Sequence, residues 1–154
     1  MDFKNNVQIK NRKARFEYEL LDKYTAGIVL GGTEIKAIRL GKASIAEAFC
    51  EFKEDELWII NMTIQEYSHA THFNHAPKAA RKLLLQRREL KKLYKDVTNS
   101  GNTIIPLVMF INDRGFAKIQ ISLAKGKKLY DKRETIKNRD NKKRMDQIKK
   151  TYNA

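Results

Sequence analysis

Residues 103–123 read TIIPLVMFINDRGFAKIQISL. The run Asn112-Asp113-Arg114-Gly115 is a strong hairpin turn, because Asn, Asp and Gly adopt the backbone angles that tight turns demand. The residues after it alternate. Ala117, Ile119, Ile121 and Leu123 fall on one face, and Lys118, Gln120 and Ser122 on the other, the period of a strand with one buried side. The reading is therefore two antiparallel strands, roughly 103–111 and 116–123. Upstream, Phe49–Phe52 and Leu57–Met62 have the same β-rich character, with the acidic link 53–56 as their turn. Residues 16–30 read as a long bent strand or a hairpin around Thr25-Ala26-Gly27. Gly31-Gly32 stops it, Thr33 is placed to cap a short helix, and Gly41 closes that helix. Ile35 and Ile38 share one face of it, and 44–48 suggest a further turn. Residues 65–77 show no period and read as a loop. Pro77 precedes a long helix over about 79–98, whose stripe is Leu83, Leu90, Leu93, Tyr94 and Val97. Asn99-Ser100-Gly101-Asn102 ends it, and residues 1–12 are polar and read as frayed. The fold class is mainly β with helices. About six short antiparallel strands with one long flanking helix close most economically as a small barrel of the oligonucleotide-binding type, since closure removes sheet edges.

The barrel is assigned to 1–123 and a basic tail to 124–154. The whole chain has 154 residues, 32 Lys and Arg, and 18 Asp and Glu, a net of +14. That charge is unevenly spread. Residues 78–95 hold eight bases and one acid, and 124–154 hold twelve bases and four acids. The remaining 105 residues hold twelve bases and thirteen acids. A nearly neutral body thus carries two basic segments, which points to a polyanionic partner. The tail has few large apolar side chains but helical grammar. Asp131 with Glu134 forms a variant capping box, and Asp140–Arg144 and Asp146–Lys150 are acid-before-base pairs four residues apart. The expectation is a tail disordered alone and helical once phosphates neutralise it.

Other classes of protein are disfavoured. No run approaches the roughly 18 apolar residues of a membrane span. The start MDFKNNVQIKNRKARF lacks the apolar centre of a secretory signal. A single cysteine, Cys50, excludes an intrachain disulfide and suits a reducing compartment, so a cytoplasmic protein is expected. His69, His72 and His75 recur every three residues, and three imidazoles can hold zinc, but they lie in a loop without Cys or an HExxH pattern. They are read as polar loop histidines. Gly31-Gly32-Thr33-Glu34 lacks the spacing of a phosphate loop. The cluster Glu51, Glu54, Asp55 and Glu56 is read as a solvated turn, and Cys50 as an inert core thiol. No catalytic constellation emerges, so neither an enzyme nor a cofactor or small-molecule substrate is expected. Bases interleaved with Tyr18, Phe73 and Tyr130 suit RNA, the cations for phosphates and the rings for stacking.

The run LAKGKKLYDKRETIKNRD (123–140) resembles the signature at the start of the tail in the SsrA-binding protein family, also called small protein B. NRKARFEYEL (11–20), AGIVLGGTEIKAIRLGKA (26–43) and NHAPKAARKLLLQRREL (74–90) agree in order and spacing, so the resemblance spans about 8–145. It implies a barrel that binds the tRNA-like part of transfer-messenger RNA and enters stalled ribosomes in trans-translation. The tail would reach the small-subunit decoding centre and the empty message channel. A general ribosome-associated or single-strand RNA-binding protein of the same barrel class is the alternative. By resemblance, the RNA-facing positions are Tyr18, Thr25, Glu34, Lys36, Arg39, His75, Arg81, Lys82 and Leu83, with Lys125, Lys127 and Lys128. The ribosome-active tail positions are Asp131, Lys132, Arg133, Lys137 and Arg139. The chain departs from the family pattern at Thr25, where Glu is usual, at Ala76, where Asp is usual, and at Ala79, where Arg is usual. Lys78 is placed to replace part of that missing charge.

Overall fold

The structure is a computed structural model that describes residues 7–70 and 73–126. Its elements in chain order are β1 (Gln8–Lys10), α1 (Ala14–Glu17), β2 (Tyr18–Ile28), α2 (Gly32–Arg39), β3 (Ala43–Ser44), β4 (Phe49–Lys53), β5 (Glu56–Ile60), β6 (Thr63–Ile64), β7 (Arg81–Leu84), α3 (Arg87–Ser100), β8 (Thr103–Ile111) and β9 (Ala117–Gly126). Six strands form a closed antiparallel ring in the order β8-β4-β5-β7-β2-β9, with β9 returning to β8. The six-stranded barrel expected from the sequence is thus present, although its membership differs. β1 extends the β8 edge beyond β4, pairing Gln8 with Phe110 and Lys10 with Val108. β3 and β6 make a separate two-stranded ribbon.

The hairpin at 103–123 forms as read. Ile111 pairs with Ala117, and Asn112 Oδ1 accepts from the Arg114 and Phe116 N–H groups at 3.1 and 2.9 Å. Gly115 closes the turn at φ +83°, where a side chain would be strained. Ala117, Ile119, Ile121 and Leu123 are all buried. Ser122 and Ala124 on the opposite face are buried too, Ala124 because α1 covers that end. Ala14, Ile105 and Ala124 form a second small core there, with Tyr18, Leu20 and Leu107 against it. The strand runs three residues past its expected end at 123.

Four local expectations need correction. The bend in β2 lies at a register shift between Leu20 and Lys23, and the strand passes straight through Thr25-Ala26-Gly27. The first residues are not frayed from 8 to 10, because β8 offers an unpaired edge and Val7 and Ile9 pack on the core. The helix expected over 79–98 is two elements: β7, then α3. Leu83 belongs to the strand, pairing with Leu57 on one side and Ile28 on the other. Without β7 the ring would stay open between β5 and β2. Finally, α2 is capped at Gly31, whose N–H donates to Glu34 Oε1 at 2.9 Å, and the Thr33 hydroxyl is used elsewhere. α3 has the same arrangement, Gln86 N–H donating to Glu89 Oε1 at 3.1 Å, and ends on Gly101 at φ +65°.

α3 docks through Leu93, which is fully buried, with Leu90 and Val97 half-buried beside it. Tyr94 meets Phe52 edge to face at 5.3 Å. The β4–β5 turn places Glu54 and Asp55 at φ 53° and 65°, the two positive angles of a tight hairpin, without glycine.

Cys50 is buried in the core, and burial holds its thiol well above the ordinary value of 9.0. Burial likewise raises the Tyr24 hydroxyl above 10.0, the Lys92 charge opposing it. In both cases the unfolded chain releases its proton first. Their contribution to stability is complete below the unfolded values and is lost progressively as pH rises from those toward the folded ones. We predict that thermal stability starts to fall near pH 9 in the intact chain and about one unit higher in Cys50→Ala. Parallel decline of the two between pH 8.5 and 10 in a melting series would show that the thiol is not the responsible group.

Candidate nucleic-acid interface

The residues that the sequence marked as RNA-facing do not form one patch. The largest group surrounds α2. Arg81 projects from β7 toward this helix and is only 3% exposed. Its Nε pairs with Glu34 Oε2. Its Nη1 donates to the Met62 and Ala79 carbonyls, both at 3.0 Å, and its Nη2 to those of Ala76 and Pro77 at 3.1 and 3.2 Å. All five guanidinium N–H groups thus have acceptors. Glu34 is equally committed, since its other oxygen caps the helix. Within the protein, Arg81 and Glu34 are thus committed to each other, and Arg81 also to the loop. Leu83, from the same expected set, is wholly buried in the barrel. Ala76 and Ala79, two departures from the family pattern, serve this site through their backbone carbonyls, for which a methyl side chain suffices.

His75 is fixed from both sides. Its Nε2 lies 2.9 Å from the Ile64 carbonyl oxygen and its Nδ1 lies 2.9 Å from the Thr33 hydroxyl. A carbonyl only accepts, so Nε2 carries a proton; in the neutral ring Nδ1 then accepts from Thr33. Thr33 thereby links α2 to the 73–80 loop, a role the capping expectation hid. Asn74 braces the same loop, exchanging hydrogen bonds with the Tyr67 backbone at 3.1 and 2.9 Å.

Two cations sit in the last turn of α2. Lys36 is exposed, with its Nζ 5.6 Å from the centre of the Tyr67 ring. Arg39 is half-exposed and donates from Nη2 to the Gly115 carbonyl at 3.1 Å, tying α2 to the β8–β9 turn. Nothing in the sequence pattern announced Tyr67 or Gly115 as partners, because both contacts span distant segments.

The other expected residues lie elsewhere. Tyr18 and Lys125 share the far end of the β2–β9 ladder, where Tyr18 pairs with Gly126 and Glu19 with Lys125. Tyr18 is half-buried and Lys125 exposed. Thr25 lies exposed in β2 opposite Gln120. Lys82 points to the opposite face of β7 from Arg81, 3.6 Å from Glu56, beside a groove of about 720 Å³ between α3 and the β4–β5 hairpin. Lys127, Lys128, Asp131, Lys132, Arg133, Lys137 and Arg139, together with Tyr130 and His72, lie outside the described residues. Among the described residues no group of three His, Cys, Asp or Glu is placed to hold a metal, and no helix is long and apolar enough to cross a membrane.

Removing Arg81 would strip Glu34 and four carbonyls of their donor. Arg81→Ala is expected to cost about 3–5 kcal/mol, the typical loss when one member of a buried pair is deleted. Its neighbour Lys82→Ala, whose ion pair is partly solvated, is expected to cost less than about 1 kcal/mol. Urea unfolding of the two variants tests this, and equal losses would contradict the division between them.

Comparison with known proteins agrees with this geometry. A family profile described as "SmpB protein" matches residues 8–151. The chain is 74% identical to the SsrA-binding protein of Christiangramia forsetii, covering 97% of this chain and 95% of the relative. It is 62% identical to that of Flavobacterium psychrophilum over 95% of this chain and 97% of the relative. More distantly, it is 51% identical to that of Agrobacterium fabrum, covering 88% and 85%. Among solved structures, a chain described as "tmRNA-SmpB: a journey to the center of the bacterial ribosome" superimposes with a TM-score of 0.67 at 41% identity, covering 80% of this chain and 86% of that one. The match spans the barrel and reaches far into the basic tail, and the chain belongs to the SmpB family of SsrA-binding proteins.

Proposed function

We propose that this chain is an RNA-binding adaptor of trans-translation. It binds the tRNA-like domain of transfer-messenger RNA and delivers it to stalled ribosomes, where the incomplete peptide is tagged and the ribosome released. The observation that carries this reading is the unbroken family match over 8–151, barrel and tail together. The exposed cations support it physically. Lys36 and Arg39 leave one end of α2 as a fixed pair, and Lys125 stands at the start of the tail. Such groups neutralise phosphates and register the RNA, while Tyr18 and Thr25 offer a ring and a hydroxyl, and His75, with both nitrogens engaged, a ring face for contacts to bases and sugars. Lys82 contributes from the α3 side. Arg81, Glu34 and Leu83 act as positioning residues that hold this surface in shape.

In the same reading residues 1–123 are the RNA-binding barrel and 124–154 a separate functional segment. Lys127 and Lys128 continue the RNA contact. Asp131, Lys132, Arg133, Lys137 and Arg139 engage the small-subunit decoding centre and the message channel, their cations meeting ribosomal phosphates. The adaptor performs no catalysis itself, the ribosome carrying out peptide transfer, and it works in the cytoplasm with no cofactor.

Competition binding at about 0.15 M salt tests the partner, because non-specific RNA affinity falls steeply by that point. The expected result is a clear preference for the tRNA-like domain over bulk RNA. Equal affinities would favour a general RNA-binding protein. Truncation before Asp131 separates the two segments: binding to the tRNA-like domain is retained and peptide tagging is lost. Survival of tagging in a reconstituted translation reaction would refute the assignment of the tail.

A further inference from the structure

The β8–β9 turn leads into β9 through an exposed aromatic that none of the expected contacts includes. Phe116 follows the β8–β9 turn and is 63% exposed. Its backbone is nevertheless fixed, because Asn112 N–H donates to its carbonyl at 2.9 Å and its own N–H donates to Asn112 Oδ1 at 2.9 Å. An exposed ring on a fixed backbone has lost chain freedom before anything binds it.

The surroundings are cationic. Alternation along β9 puts Phe116, Lys118 and Gln120 on the same outward side, since Ala117 and Ile119 are buried. Lys118 pairs with Gly27, and its Nζ lies 3.6 Å from where a Cβ on Gly27 would stand, so glycine leaves room for the ammonium to cross β2. Arg39 reaches the same turn through the Gly115 carbonyl, next to Phe116. Arg114 is an exposed residue of the turn itself. The pairing of Thr25 with Gln120 makes the patch continuous with an expected RNA contact. A protein partner with an apolar side chain would gain little from cations on neighbouring positions. A nucleobase flanked by phosphates matches both features.

We infer that Phe116 is a stacking platform for an unpaired base of the bound RNA, with Arg114, Arg39 and Lys118 on the adjoining phosphates. The inference rests on the RNA-binding reading and adds to it a base-contacting residue. The test measures binding of full-length variants to an in vitro transcript of the tRNA-like domain across a salt series. Phe116→Ala is expected to lower affinity by about 10- to 100-fold, the range of one lost base stack, without changing the salt slope. Phe116→Leu should lose as much, since it is apolar but has no π face, and Phe116→Trp should bind as well as the parent. Lys118→Ala should instead reduce the slope by about one. Unaltered melting temperatures of the Phe116 variants would exclude misfolding as the cause. Parental affinity in Phe116→Ala would overturn the inference and leave the patch to a partner other than RNA. Full affinity in Phe116→Leu would overturn stacking in favour of plain apolar contact. Should the parent bind all RNAs alike while Phe116→Ala still loses affinity, the stacking role stands and the adaptor reading falls.

Discussion

The pairing of Arg81 with Glu34 is the constraint on which the other parts of the interface depend. It joins three segments, strand β7, the short helix α2 and the loop 76–79, the last two also linked through Thr33 and His75. A guanidinium buried to 3% is tolerable only when every N–H has an acceptor, and here each does. Because the acceptors are mostly backbone carbonyls, the arrangement fixes chain path and not merely side-chain position. Glu34 transmits the constraint further, since the oxygen that does not meet Arg81 holds the first turn of α2. The helix is therefore locked at its start by an ion pair and at its end by Arg39 on the β8–β9 turn. Its two exposed-side cations inherit that rigidity.

How much of this was legible in the sequence follows from which signals are local. The 103–123 hairpin was readable because turn chemistry and period-two alternation coincide within twenty residues. The β4–β5 hairpin was readable for the same reason, even though its turn uses Glu54 and Asp55 in place of glycine. β7 was not. Leu83-Leu84-Leu85 beside a genuine helical stripe looks like one more turn of that helix, and only the open seam between β5 and β2 demands a strand there. That demand is non-local and leaves no trace in a window of residues. The same blindness applied to the site. A resemblance can say that position 81 is Arg, but whether that side chain faces solvent depends on strand alternation in an element that was read as a helix. Once β7 is a strand, Arg81 and Leu83 turn inward and Lys82 and Leu84 outward. Lys36, Arg39 and His75 did come together around α2, since their placement depends on a helix that was read correctly in type.

The charge arithmetic takes on a different meaning in this light. Counterion release scales with the number of phosphates neutralised and is nearly blind to which RNA supplies them. The large excess of base in this chain accounts for affinity, therefore, and not for choice of partner. Choice requires that cations and rings be held at spacings that only one RNA surface matches. Around α2, the side chains proposed to meet RNA are each held in place. His75 is held at both nitrogens, Lys36 rests on the Tyr67 ring, Arg39 is anchored to a turn carbonyl, and Phe116 projects from a backbone fixed by Asn112. Each side chain ordered in advance spares binding about 0.5–1.5 kcal/mol of lost rotamer freedom. An RNA of the wrong shape would still draw the cations by long-range attraction. It would then have to break these contacts to be accommodated, and in the proposed reading that cost supplies a selectivity the net charge does not.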